Sequence, residues 1–199
     1  MSNTYTQIHI HAVFAVQNRQ SLILKNWKEE LNKYVTGIVQ NKNHKMLQIN
    51  GMPDHIHLLF GMRPNQSLSE LMRIIKGKSS EWINKNGFTD QPFSWQSGYG
   101  AFSYAKSELP NVIRYIINQE EHHRKKTLTE EYREILDAHG IEYDERFIFK
   151  SIIWHIPYLR HGKSASFTCS TDILVSNETF AGRVSGLLSR QMSDRKSVV

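Results

Sequence analysis

The sequence predicts an α+β fold: a ferredoxin-like split β-α-β-β-α-β sheet with helices on one face, followed by extra C-terminal helices. Three observations carry that prediction. Segments with an apolar residue at every second position read as strands, and segments with apolar residues three and four apart read as helices. The two kinds follow one another in the split order. A content of 39% hydrophobic and 11% aromatic residues is ample for a core in a chain of 199.

The first strand is read from Ile8, Ile10, Ala12, Phe14 and Val16, which alternate with Gln7, His9, His11 and Val13. Asn26 then stands as an N-cap, with Glu29 three residues on to complete a capping box. Trp27, Leu31, Tyr34, Val35, Ile38 and Val39 recur behind it at helical spacing. Met46 to Asn50 is a short strand, and Gly51-Met52-Pro53-Asp54 is turn chemistry leading to a second strand, so the two form a hairpin. Ser67 and Glu70 form the next capping box, ahead of a helix with Leu68, Leu71, Met72, Ile75, Trp82 and Ile83 inward. The aromatic and glycine-rich stretch from Phe93 to Tyr104 is a loop entering a strand at Ala101 to Tyr104.

A third helix is expected from near Ser107 to about His123, with Pro110 tolerated because it lies in the first turn. Thr127 and Glu130 cap a fourth helix, which Gly140 ends. Ile141 to Phe149 closes a first domain, residues 1–150. From Ser151 the texture changes to a serine-rich stretch of weak periodicity, and residues 151–199 read as a poorly ordered or irregular tail.

Composition narrows the function. No apolar run reaches membrane-spanning length, and the N-terminus has no signal-peptide pattern. The lone Cys169 excludes an internal disulfide and a cysteine-built zinc knuckle, so a cytoplasmic protein is expected. A net charge of +6 favours an anionic partner, of which nucleic acid is the commonest.

The chemistry gathers in two places. In Pro53-Asp54-His55-Ile56-His57-Leu58-Leu59-Phe60 the two histidines share one face of a strand, opposite the apolar row, about 7 Å apart and near enough to hold one metal ion. His9-Ile10-His11 has the same spacing and is assigned to surface or DNA contact. The other place is Arg114-Tyr115-Ile116-Ile117-Asn118-Gln119-Glu120-Glu121-His122-His123. Tyr115 and Gln119, four apart, lie on one face of a helix. A tyrosine hydroxyl can act as a nucleophile when a metal, a base or positive charge assists it. An amide oxygen one turn away can complete a site begun by two imidazoles, a mixed set suited to Mg²⁺ or Mn²⁺ when phosphate supplies further oxygens. Taken singly, each has a plainer reading: the histidines as solvated strand residues, Tyr115 as a packed helix residue, Gln119 as an exposed amide. Arg73, Lys76 and Lys78 are either a solvated helix face or a track for a DNA backbone, and Arg114, His122, His123 and Arg124 are a basic helix end or phosphate contacts. Trp95, Tyr99 and Phe102 are candidates for stacking on bases or for the core.

Together with Gly98-Tyr99-Gly100-Ala101-Phe102-Ser103, these motifs resemble those of the single-tyrosine HUH transposases of the smallest bacterial insertion sequences and the related REP-associated enzymes. The likeness spans roughly Thr4 to Phe149. It implies that His55 and His57 are metal ligands, Gln119 the third ligand and Tyr115 the nucleophile. It further implies cleavage of single-stranded DNA at element ends beside a hairpin, through a 5′-phosphotyrosine and a free 3′-OH that later rejoins strands. A homodimer, with the tyrosine able to act in trans, is implied too. The alternatives are a hairpin-binding protein of the same fold that has lost strand transfer, and a metal-dependent hydrolase using His55, His57, His122 and His123 on zinc.

Overall fold

The computed structural model describes residues 5–145 and 148. Four strands, β1 (His9–Ala15), β2 (Lys45–Met52), β3 (His55–Gly61) and β4 (Gly100–Ser103), form one sheet in the order β2-β3-β1-β4. Every neighbouring pair is antiparallel. Helix α1 (Lys25–Asn41) joins β1 to β2, and α2 (Leu68–Asn86) joins β3 to β4, which is the split arrangement the sequence predicts. Three shorter helices follow: α3 (Leu109–Ile117), α4 (Gln119–His123) and α5 (Leu128–Ala138).

Alternation sorts the strand residues into two faces. Ala12, Phe14 and Val16 with Ile56, Leu58 and Phe60 pack against Trp27, Leu31 and Val35 of α1 and Leu71, Met72 and Ile75 of α2. Each large apolar side chain sealed there contributes about 1.5–3 kcal/mol. Trp95 belongs to this core, edge-on to Phe14 and donating its indole N–H to Ser79 Oγ at 2.9 Å. On the other face Val13, Ala15 and Phe102 meet Leu128 and Leu136 of α5, while Leu59 meets Val112 and Ile116 of α3. Trp95 and Phe102 are therefore packing residues and not platforms for bases. At Gly100 a side chain would strike the Tyr132 ring, so the glycine lets α5 lie close across β4.

Helix ends follow the capping expectation in two cases of three. Ser67 Oγ accepts from the Glu70 N–H, and Thr127 with Glu130 forms a reciprocal capping box. Gly140, at φ 61°, ends α5. Helix α1 departs: it starts at Lys25 behind Leu24, with no side-chain cap from Asn26. The chain is brought in by backbone pairing, the Ile23 N–H donating to the Pro53 carbonyl at 2.8 Å, so the helix begins where that tie releases it.

The expected third helix is also broken. Asn118 leaves helical geometry at φ −89°, ψ 23°, between α3 and α4. The cause lies in β2, where Asn50 Nδ2 donates to the carbonyls of Ile116 and Ile117 at 2.9 and 3.0 Å. Those carbonyls would otherwise accept from the next helical turn. The reading of residues 151–199 lies outside the described residues. No helix among the described residues is long and apolar enough to cross a membrane.

Candidate active site and metal centre

The register of β1 on β3 sets His57 opposite Val13 and His55 opposite Ala15. His11, His55 and His57 consequently point to the same face, beneath α3, α4 and α5. All three are buried, His55 and His57 completely. Polar groups sealed in this way need partners, and those of His55 and His57 are specific.

His55 Nδ1 lies 2.7 Å from Asp54 Oδ1, and Asp54 is held from behind by Arg19 at 2.7 and 3.1 Å. Burial would raise the Asp54 carboxyl, but the hydrogen bond and charge of His55, with Arg19, outweigh it and hold the group well below the carboxylate range. A carboxylate only accepts, so His55 Nδ1 carries a proton, which leaves Nε2 as the nitrogen that can turn a lone pair to a metal. His57 Nδ1 lies 3.0 Å from His11 Nε2, with the rings stacked at 22°. When His57 donates in that bond, its Nε2 is also a lone pair directed at the cluster.

Opposite these two imidazoles stands Glu131 of α5, 1% exposed. Its Oε2 is 2.9 Å from His123 Nε2 and 3.9 Å from His55 Nε2, and its Oε1 is 3.6 Å from His57 Nε2. Tyr115 donates its hydroxyl to Glu131 Oε1, and Gln119 Nε2 donates to the same oxygen at 2.9 Å. One ligand atom from each of His55, His57, His123 and Glu131 falls within 4.8 Å of all the others. The Nε2 atoms of His55, His57 and His123, with Glu131 Oε2, are buried without a hydrogen-bond partner among the described residues. Each orphan of this kind costs about 1–3 kcal/mol. Three imidazole nitrogens and a carboxyl oxygen gathered this closely fit a divalent ion.

Burial sets the protonation states. It pushes the Glu131 carboxyl up to about 8, with Asp54 and Glu134 adding to the rise. It lowers the His123 imidazole to about 3 and His11 to about 4, and holds His57 well below the ordinary value. His11, His57 and His123 are thus neutral at physiological pH, the form that binds metals.

Comparison with known proteins gives the family of the chain. The sequence model described as "Transposase IS200 like" matches residues 4–119, more than half of the chain. The chain belongs to the IS200-like transposases. It is 27% identical over 128 residues to the transposase of insertion sequence element IS200 from Salmonella typhimurium, covering 60% of this chain and 84% of that one. It is 24% identical over 118 residues to the ISDra2 transposase TnpA of Deinococcus radiodurans, covering 57% of this chain and 84% of that protein. In fold it is similar to a Deinococcus radiodurans crystal structure assigned to the transposases, with a TM-score of 0.50 and 19% identity over 60% of this chain and 95% of the other.

In this transposase the residues singled out from sequence do not all meet. Tyr115, His55, His57 and Gln119 come together, although Tyr115 and Gln119 sit on separate helices and converge through Glu131. His123, read as a solvated or phosphate-facing residue, is turned inward, while His122 is half-buried with its Nε2 3.9 Å from Glu131 Oε1. Arg114 and Arg124 are exposed, Arg124 pairing with Glu121 at 3.0 Å. Arg73, Lys76 and Lys78 lie on α2, which packs on the opposite face of the sheet. Arg73 is held in a two-pronged pair by Glu70, and Lys76 Nζ ties the carbonyls of Gln96 and Gly98 at 2.6 Å each.

Sequence reasoning missed His11 and Glu131. His11 was separable from a surface histidine only through the β1–β3 register. Glu131 left a clearer signal, a carboxylate three residues after Leu128 and four before Ile135, on the apolar stripe of α5.

Proposed function

We propose that this transposase cleaves and rejoins single-stranded DNA at element ends through a covalent Tyr115 intermediate. His55 and His57, with Gln119 at the same site, serve a divalent metal. The observation that carries the reading is the place of Tyr115 at the buried cluster of its own chain, its hydroxyl donating to Glu131 and its ring centroid 5.9 Å from that of His57. In the step proposed, Tyr115 Oη bonds to phosphorus as the bond from phosphorus to the 3′ oxygen breaks. The phenol proton is lost and the 3′ oxygen gains one, leaving a 5′-phosphotyrosine and a free 3′-OH. Bound at this site, a divalent ion supplies charge stabilisation to the phosphoryl oxygens. The approach proposed for the strand is a hollow of about 300 Å³ beside Tyr115, lined by Asn118, Glu121, His122, Lys125 and Lys126. Its cations suit a phosphate backbone. A hairpin beside the cut is the substrate feature proposed, in keeping with the motifs that resemble the single-tyrosine enzymes. The geometry favours Tyr115 acting in cis, whether or not the protein is a dimer.

The test uses labelled single-stranded DNA from the ends flanking the gene, resolved on a denaturing gel with Mg²⁺, Mn²⁺ or chelator. A metal-dependent, protease-sensitive transfer of label to the protein is expected, lost in Tyr115→Phe while hairpin binding persists. Mixing Tyr115→Phe with His57→Ala protein should not restore the adduct if the site works in cis. Binding to verified ends without an adduct would identify a hairpin-binding protein instead, and cleavage without an adduct a hydrolase.

A further inference from the structure

We infer that His123 and Glu131, from helices beyond the segment matched to the family, take the ligand positions that the motif resemblance gives to Gln119. The metal is then held by His55, His57, His123 and Glu131. This rests on the proposed metal-dependent reading and specifies its ligands. It makes the ion a transition metal such as Co²⁺ or Mn²⁺ in preference to Mg²⁺.

The family match ends at Gln119, so α5 and most of α4 lie outside it. Yet these are the elements that close the site. Four ligand atoms from His55, His57, His123 and Glu131 lie within 4.8 Å of one another, and all four residues are buried. The approach of His123 Nε2 to Glu131 Oε2, at 2.9 Å, leaves both atoms without a hydrogen bond among the described residues. Two buried ligand atoms this close are placed to share a divalent ion.

Gln119 is differently engaged. With a metal bound, Glu131 is ionised and its carboxylate accepts and never donates, so the amide nitrogen is then the end that faces Glu131 Oε1. The 2.9 Å bond ties the amide nitrogen to the carboxylate, so Gln119 acts as a positioning residue that aims Glu131, while its Oε1 is a further buried oxygen without a hydrogen-bond partner among the described residues. Glu131 divides its two oxygens, Oε2 toward His123 and His55 and Oε1 toward His57 and Tyr115, so the ligand also orients the nucleophile. Three imidazoles and one carboxylate suit a transition metal. Mg²⁺, which prefers six oxygens and sheds water reluctantly, is poorly served.

The probe is Co²⁺, titrated into chelator-treated full-length protein and followed by visible absorption and calorimetry, with Mg²⁺ as competitor. Wild type is expected to bind one equivalent, with the intense band of a low-coordinate nitrogen and oxygen site that Mg²⁺ does not displace. Glu131→Gln and His123→Ala should each weaken Co²⁺ by at least about 10–100-fold, the range seen even for groups outside the ligand set. Gln119→Ala should keep the band. His123→Cys guards against a merely unfolded variant: a thiolate on the ion adds a sulfur-to-cobalt charge-transfer band, absent from wild type despite Cys169. Loss of binding in Gln119→Ala, with wild-type affinity in Glu131→Gln and His123→Ala, would overturn this ligand set and leave the metal-dependent reading standing. Absence of Co²⁺ binding by wild type, or full binding by His57→Ala, would overturn both.

Discussion

A single histidine shows how much of the site is decided by what stands behind it. His57 can offer Nε2 to a metal only if its other nitrogen holds the proton, and the sole acceptor bonded to that nitrogen among the described residues is His11 Nε2, at 3.0 Å. Burial lowers His11 to about 4, with His139 adding to the effect, so the ring is neutral and able to accept. His55 has the same support from Asp54, which in turn is fixed by Arg19. Partners of this kind orient ligands and typically matter by 10–100-fold in affinity. His11→Phe keeps a stacked ring beside His57 but removes the acceptor. It should lower Mn²⁺ affinity by about 10–100-fold, measured by calorimetry, with the far-ultraviolet circular dichroism unchanged. An affinity equal to wild type would show that the tautomer of His57 does not depend on His11.

Helix α5 is the element on which the site depends most and that the family match does not reach. Its start is held by the Thr127–Glu130 box and by Arg19 Nη1, which donates to Thr129 Oγ1 at 3.0 Å. The same arginine therefore braces Asp54 on one side of the cluster and α5 on the other. Thr127→Ala should cost about 1 kcal/mol, read as a lowered urea midpoint at unchanged slope. An unchanged midpoint would mean that Arg19 and the Leu128 and Leu136 packing suffice to hold the helix. The box itself was legible in the sequence because a cap needs only residues three apart, and the same is true of Ser67 and Glu70. The helix break at Asn118 was not legible, since it comes from Asn50, distant in sequence, taking two carbonyls. Asn26 misled for a related reason: a backbone tie at Ile23 fixed where α1 begins. Local rules found the elements, and long-range pairing decided which groups His55, His57 and Tyr115 meet.

At the scale of the molecule, the sheet divides an apolar core under α1 and α2 from a second face on which titratable groups are buried together. This division gives the metal-free protein a particular response to pH. His11 and His123 titrate near 4 and 3 when folded, and His57 well below 6.5, against an ordinary 6.5 for each when unfolded. The unfolded chain therefore binds more protons in that window, so the histidine contribution is complete above pH 6.5 and is lost as pH falls. Glu131 has the opposite sign. Its folded value of about 8 exceeds the ordinary 4.5, so its contribution is complete below pH 4.5 and is lost as pH rises toward 8. Between 4.5 and 6.5 the histidines outnumber the one carboxyl and stability rises with pH, whereas above about 6.5 the Glu131 loss overtakes what the histidines still add and stability declines. Asp54, lowered on folding, adds a further loss below its ordinary 3.8. Thermal midpoints of chelator-treated protein should therefore peak near pH 6.5. Excess Mn²⁺ should raise the curve and remove the decline on its alkaline side, because an ion binds the folded state and keeps Glu131 ionised. A midpoint that does not change between pH 4.5 and 6.5 would mean that these imidazoles are not neutral when buried, and would undo the electrostatic account of the site.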